Sequence, residues 1–259
     1  MEIVVCIKQV PSGEAYMDKE TGLLIRSATG NTINANDLVA LEMAYRMKKE
    51  TGAKVTAITM GPSQATEALG IAVSMGADRA ILLSDRAFAG ADVYATAYTL
   101  AQGINVIDPP DLILCGQQTT DGDTAQVPFS LSVKLDVPCM GWVKSVKEIK
   151  ENFISVIQET TGGTVIASSS FPCLLAFTAD CAVPHIPSIT QRMAAKRAEI
   201  EIIALDDLLN QEVNHFGLKG SPTRVKRIFS PTMEAKFPPM VLTPKVAAEK
   251  IMEELECLF

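Results

Sequence analysis

Short, mostly apolar runs alternate with helical periodicity through the first 135 residues of the chain. The runs at residues 3–7, 55–60, 80–83 and 112–115 are what strands buried on both faces require. Between the first two, Leu38, Leu41 and Tyr45 recur at i, i+3 and i+7, which predicts a helix capped by Asn34 or Asn36. The next predicted helix is capped by Ser63, packs through Ala65, Ala68, Leu69, Ala72 and Val73, and ends at Gly76 in a left-handed conformation. A third is expected over about residues 91–102. A fourth starts near Thr124, with Pro128 in its first turn, where a missing N–H is tolerated. This order predicts an α/β fold: a doubly wound, mostly parallel open sheet. Residues 16–25 predict a hairpin with its turn at residues 20–22, inside an insertion of about 13–33 between the first strand and the first helix.

Beyond residue 140 the pattern changes. Residues 142–146, 153–159 and 164–168 are rich in β-branched and aromatic side chains, and the last two flank Thr160-Thr161-Gly162-Gly163. That predicts an antiparallel β-ribbon over about 142–170 with a Gly-Gly turn. Residues 172–178 read as one more buried strand returning to the main sheet. Residues 220–239 hold four prolines and read as an extended arm. Residues 245–258 then predict an amphipathic helix with Val246, Ile251 and Leu255 on its apolar face. The chain thus divides into an α/β domain, 1–205, and a C-terminal arm with a helix, 206–259. An arm with so little core must lie on something, either its own domain or a partner subunit.

Composition narrows the function classes. The 259 residues are 47% hydrophobic and carry a formal net charge of −7, which argues against nonspecific nucleic-acid binding. No apolar run reaches the length of a membrane span, and the first residues lack the pattern of a signal peptide, so a cytoplasmic protein is expected. Six scattered cysteines form no C-x-x-C pair, and with only two histidines no metal site is expected. Reduced, mostly buried thiols are the expectation.

Ligands in open α/β sheets bind outside the carboxyl ends of the strands. Those ends are predicted at Cys6 to Gln9, Met60 to Ser63 and Cys115 to Gln118, with the helix start Asn34-Ala35-Asn36-Asp37 beside the first. The loop Cys115-Gly-Gln-Gln-Thr-Thr-Asp-Gly-Asp-Thr-Ala-Gln-Val127 carries amides, hydroxyls and two aspartates but no Lys or Arg. Helix-start N–H groups and the hydroxyls of Thr119, Thr120 and Thr124 can receive phosphate without a cation, and Asp121 or Asp123 can accept from a ribose. The alternative is a hydrophilic loop with a capped helix and nothing bound. A P-loop and a G-x-G-x-x-G fingerprint are both missing, which disfavours an ATP-using ligase or hydrolase. Asp121 and Asp123, two apart on a loop, suit capping and ribose contact better than acid–base work. Lys8 is a candidate for placing positive charge near a bound nucleotide, against a plain surface lysine.

Four stretches in this order resemble the small (beta) subunit of electron-transfer flavoproteins. They are Val4 to Val10, Asn34 to Glu42, Gly61-Pro62 followed by Ala72 to Arg79, and the loop just described. The resemblance covers nearly the whole chain. It implies a heterodimer whose larger alpha subunit carries an electron-shuttling FAD, with the C-terminal arm and helix packed on that subunit. By position it implies nucleotide binding at Cys6, Asn34, Ala35, Asn36, Asp37, Met60, Gly116, Gln117, Gln118, Thr119, Thr120, Asp121, Gly122, Asp123, Thr124, Ala125, Gln126 and Val127. The bound group is AMP in ordinary members and a second FAD in flavin-bifurcating ones, and Asp121 to Val127 looks more like the bifurcating type. That type implies NADH as electron donor, ferredoxin or flavodoxin as low-potential acceptor, and an acyl-CoA or other flavin dehydrogenase as the second acceptor. No catalytic side chain is implied, because the flavin does the redox chemistry. The segment Pro184 to Thr190 matches the family's dehydrogenase-docking loop, with Ile189 where the anchoring leucine usually stands. A regulatory adenine-nucleotide module, of the kind universal stress proteins resemble, is the reading from another class.

Overall fold

The computed structural model describes residues 1–12, 16–17, 24–25, 31–226 and 240–256. In chain order the strands and helices are β1 (Glu2–Cys6), β2 (Gln9–Pro11), β3 (Tyr16–Met17), β4 (Leu24–Ile25), β5 (Asn31–Ile33), α1 (Ala35–Thr51), β6 (Lys54–Met60), α2 (Thr66–Ser74), β7 (Arg79–Leu83), α3 (Val93–Asn105), β8 (Leu112–Gly116) and α4 (Val127–Leu135). They continue with β9 (Cys139–Ile149), β10 (Phe153–Thr160), β11 (Gly163–Ser170), β12 (Cys173–Phe177), α5 (Ile189–Ala195), β13 (Glu201–Ile203), α6 (Gly217–Gly220) and α7 (Pro244–Glu256).

Nine strands form one sheet in the order β11-β10-β9-β12-β8-β1-β6-β7-β13. The run from β9 to β13 is parallel throughout, and β10 and β11 add an antiparallel edge. Both faces are covered, as the apolar runs predict. Ile3 and Val5 of β1 enter the core under α1 and α2, while Val4 and Cys6 enter the core under α3 and α4. Every residue of the central strands β8 and β12 is buried. The chain passes from β1 to β6 and β7 on one side, then crosses to β8 on the other. The order therefore reverses between β1 and β8, the place where such sheets open a crevice.

Several local expectations shift. Ser63 does not cap α2: residues Ser63–Ala65 form a single tight turn, and α2 begins at Thr66 with no side-chain cap. The third helix runs from Val93, capped by Asp92, whose carboxylate accepts from the Ala95 N–H at 3.1 Å. The fourth begins at Val127 rather than near Thr124, because Asp123 and Ala125 take left-handed φ values of 48° and 52° that no helix accommodates. The ribbon forms with Thr160 opposite Gly163, but it extends the main sheet instead of standing apart from it. The edge strand β13, three residues long, is too short to show a period and was not foreseen. Of the predicted hairpin, Tyr16 pairs with Ile25 and Met17 with Leu24, while its turn lies outside the described residues. Most of the arm, at 227–239, lies outside them too. No helix is long and apolar enough to cross a membrane among the described residues.

Candidate functional site

The helices that follow β1 and β8 leave on opposite faces of the sheet, α1 into one core and α4 into the other. Asp37, in the first turn of α1, closes the floor of the crevice between them. One carboxylate oxygen accepts from the Lys8 N–H at 2.8 Å, just past β1, and the other from the Gly116 N–H at 3.2 Å, at the end of β8. Burial pushes its pKa up to about 7, against hydrogen bonds from Asn34, Lys8 and Gly116 that pull it down. A Cβ on Gly116 would overlap the Asp37 carboxylate and lie 2.6 Å from the Asn36 carbonyl carbon, so only glycine lets α1 start this close to β8.

The same helix start holds the loop after β8. Asn34 and Asn36 each donate from Nδ2 to the Gln118 carbonyl at 2.8 Å, and the Asn34 Oδ1 accepts from the Thr120 N–H at 3.1 Å. Asn34 stands at the N-cap position as expected, but its side chain makes no capping bond because both its polar atoms are engaged by the loop. Gln117 turns inward: its Oε1 accepts from the Trp142 N–H at 2.8 Å, and its buried Nε2 has no partner among the described residues. Lys8 Nζ reaches Asp121 at 2.7 Å. Burial raises the Asp121 carboxyl, and the Lys8 ammonium more than reverses this, leaving it below the ordinary carboxylate value.

Beyond Asp121 the loop is strained. Non-glycine residues at positive φ cost on the order of 1 kcal/mol or more each, and Asp123 and Ala125 are two of them within three residues. They lead into α4, whose N-terminus has no side-chain cap and carries Pro128 in its first turn. Its first N–H groups and the helix dipole are therefore available to an anion. On the inner side, Cys6 lies opposite Cys115 across the β1–β8 pairing, and Met60 and Val127 pack against the same core. The Cys115 thiol, hydrogen-bonded to the free Cys6 thiol and buried, is held well above the ordinary thiol value, which suits packing and not nucleophilic attack.

The structure thus gathers Cys6, Asn34, Asn36, Asp37, Met60 and the 116–127 loop at the carboxyl end of the central strands, with Ala35 exposed at the helix start. Ile189 lies elsewhere, in the first turn of α5, and is 78% exposed. Sequence reasoning missed Trp142, which takes a φ of 47°, stacks on Phe129 with ring centres 5.4 Å apart, and is tied to the loop through Gln117. A lone tryptophan at the start of the ribbon was its one local signal. Among the described residues no group of three or more His, Cys, Asp or Glu could hold a metal ion.

A doubly wound sheet with a strained, uncapped helix start at its switch point defines the class: an α/β protein with the architecture of nucleotide-binding domains. Comparison with known proteins gives the family. The electron transfer flavoprotein domain model matches residues 21–208. The chain is 41% identical over 257 residues to an electron transfer flavoprotein subunit beta of Thermoanaerobacterium thermosaccharolyticum, covering 98% of each. It is 38% identical to the protein FixA of Sinorhizobium fredii, over 98% of this chain and 92% of that one. It is 41% identical over 234 residues to the caffeyl-CoA reductase-Etf complex subunit CarD of Acetobacterium woodii, covering 89% and 88%. The chain belongs to the electron transfer flavoprotein family and has the role of its beta subunit.

Proposed function

We propose that this chain binds FAD in the crevice between β1 and β8, and that with an alpha subunit it forms a cytoplasmic, flavin-bifurcating, NADH-oxidising electron carrier. The observation that carries this reading is the uncapped start of α4 behind two strained residues, with neutral donors around it and one lysine already engaged by Asp121. A diphosphate-bearing nucleotide suits that combination, since N–H groups and hydroxyls bind it without competing for a proton. A flavin held there would supply the redox chemistry, accepting two electrons from NADH and releasing them one at a time. The protein's own residues bind and orient. Asn34 and Asn36 fix the loop from below, Asp37 locks the two strand ends, and Lys8 places its charge at the loop's outer turn. Cys6, Met60 and Val127 supply an apolar wall beside the crevice.

The partners follow from the same reading: the alpha subunit with its own FAD, ferredoxin or flavodoxin as the low-potential acceptor, and an acyl-CoA or other flavin dehydrogenase as the second. The CarD relative's name, which places it in a complex with a reductase, supports the last of these. The arm and α7 are assigned to the alpha subunit, since no residue of α7 is buried. An AMP held as a structural group is the second reading, because the helix start would receive a monophosphate equally well.

Denaturing extraction and chromatography of the heterodimer, co-expressed with its alpha subunit, tests this directly. Two FAD and no AMP per heterodimer, bleached by NADH, is the expected result. One FAD with one AMP would replace bifurcation by ordinary electron transfer. No nucleotide beyond the alpha subunit's flavin would remove the site itself.

A further inference from the structure

Helix α1 does more than close the nucleotide crevice. Two turns beyond Asn34, Glu42 is 4% exposed, a carboxylate among the buried residues of α1, which include Val39, Leu41 and Met43. A buried carboxylate survives only if paired and hydrogen-bonded. Here both oxygens are engaged. One accepts from Arg46 Nε at 2.6 Å. The other lies 2.6 Å from His185 Nδ1 and accepts the His185 backbone N–H at 3.0 Å. Burial raises the Glu42 carboxyl, and the bonds from His185 and Arg46 more than reverse that, so it stays ionised below the ordinary carboxylate value.

His185 is the fixed point of the segment that carries the exposed apolar residues. Its ring stacks on Tyr45 with centres 4.3 Å apart, and its buried Nε2 has no partner among the described residues. Tyr45 is itself seated: its ring fills the space over Gly76, where a Cβ would lie 2.7 Å from it. On either side of this anchor the chain turns outward. Val183 is 83% exposed, Ile186 82% and Ile189 78%. The far end is set by Ser188, which caps α5 in a reciprocal box with Gln191. Three large apolar side chains are thus held outward on a backbone tied down between them, which is the arrangement that limits the ordering cost of binding.

We propose that Glu42 and His185 are positioning residues for docking: they clamp the 183–189 segment to the helix whose other end forms the nucleotide crevice. The inference rests on the reading of Ile189 as a docking residue, and it adds the device that presents it. Asn34 and Glu42 are eight residues apart on α1, roughly 12 Å along a rigid helix. The clamp therefore sets where the apolar segment stands relative to the crevice, and so the geometry in which a docked dehydrogenase would face the bound flavin.

The test uses the heterodimer and four variants: Glu42→Gln, His185→Ala, His185→Gln and Ile189→Ala. Hydrogen exchange over residues 183–193 reads the clamp itself. The apparent KM for an acyl-CoA dehydrogenase, set against turnover with a small artificial dye, reads docking. Glu42→Gln and His185→Ala should speed exchange in the segment at least tenfold and raise KM about tenfold, with dye turnover and nucleotide content unchanged. His185→Gln, which keeps a donor towards Glu42, should restore most of both. Ile189→Ala should raise KM and leave exchange as in the wild type. His185 lies on a surface segment, so His185→Ala keeps the test valid if Glu42→Gln does not fold. Unchanged exchange in both clamp variants would overturn the clamp. Faster exchange with KM unmoved in every variant, Ile189→Ala included, would keep the clamp as a structural feature and overturn its docking role along with the docking reading.

Discussion

Helices α1 and α7 both mix apolar and charged residues and end up in opposite situations. Nine of the seventeen residues of α1 are buried, Asn36, Asp37 and Glu42 among them, whereas none of the thirteen residues of α7 is. Val246, Ile251 and Leu255, the predicted apolar face of α7, are 45%, 60% and 42% exposed. An amphipathic period says that a face needs covering, and it does not say which chain covers it. What separates the two helices is polar. Helix α1 spends its buried polar groups on bonds to segments far along the chain, while among the described residues the ion pairs of α7 run from Lys250 to Glu253 and Glu254 of the same helix. A helix fixed by long-range polar bonds belongs to its own domain, and one with only local pairs is free to serve another subunit.

The contrast breaks most visibly at Gly116. Gly116→Val forces atoms into the Asp37 carboxylate and the Asn36 backbone, and should cost about 3 kcal/mol of stability by chemical denaturation, with loss of the nucleotide proposed to bind there. Stability within about 0.5 kcal/mol of wild type would mean that α1 is not locked to β8 as described. The α7 side sharpens next. Ile251→Asp with Leu255→Asp should leave the unfolding midpoint of the α/β body unchanged and weaken assembly with the alpha subunit by about 2 kcal/mol, read by co-elution across a dilution series. A lowered midpoint with assembly intact would place α7 on its own domain.

The smallest effect is a pH dependence. Asp37 titrates near 7 in the folded chain against an ordinary value of 3.8, so the folded state holds that proton to higher pH. Its contribution to stability is fully present below the unfolded value and is lost as pH rises through about 7. Between pH 6 and pH 8 the wild type should therefore lose about 1 kcal/mol relative to Asp37→Asn, in paired melts of the two complexes. Parallel profiles for the two proteins would mean that Asp37 is ionised throughout this range.

Much of the fold was legible because sheet burial is written locally. The uniform apolarity of residues 112–115 marks a strand with both faces covered, and that is where β8 lies. The boundaries were less legible wherever a cap or a strained φ decided them, as at Ser63 and at Thr124. The candidate loop stands out by composition, a strand end dense in amides and hydroxyls with no Lys or Arg. Its supports do not. Nothing local distinguishes Asn34, which binds the loop, from an ordinary N-cap asparagine, and Glu42 resembles any helical glutamate with an arginine four residues on.

The sequence by itself determined most of the elements, their succession along the chain and the two-faced burial of the sheet, because each follows from periodicity within about twenty residues, whereas the strand order and with it the switch point came only with the fold. Tertiary structure alone decided which polar groups meet. Asp37 finds Gly116 across 79 positions, Asn34 finds Gln118 across 84, and Glu42 finds His185 across 143. A buried polar atom accepts whatever donor the crossing of the chain brings within about 3 Å, and that crossing is a property of the whole fold, not of any segment.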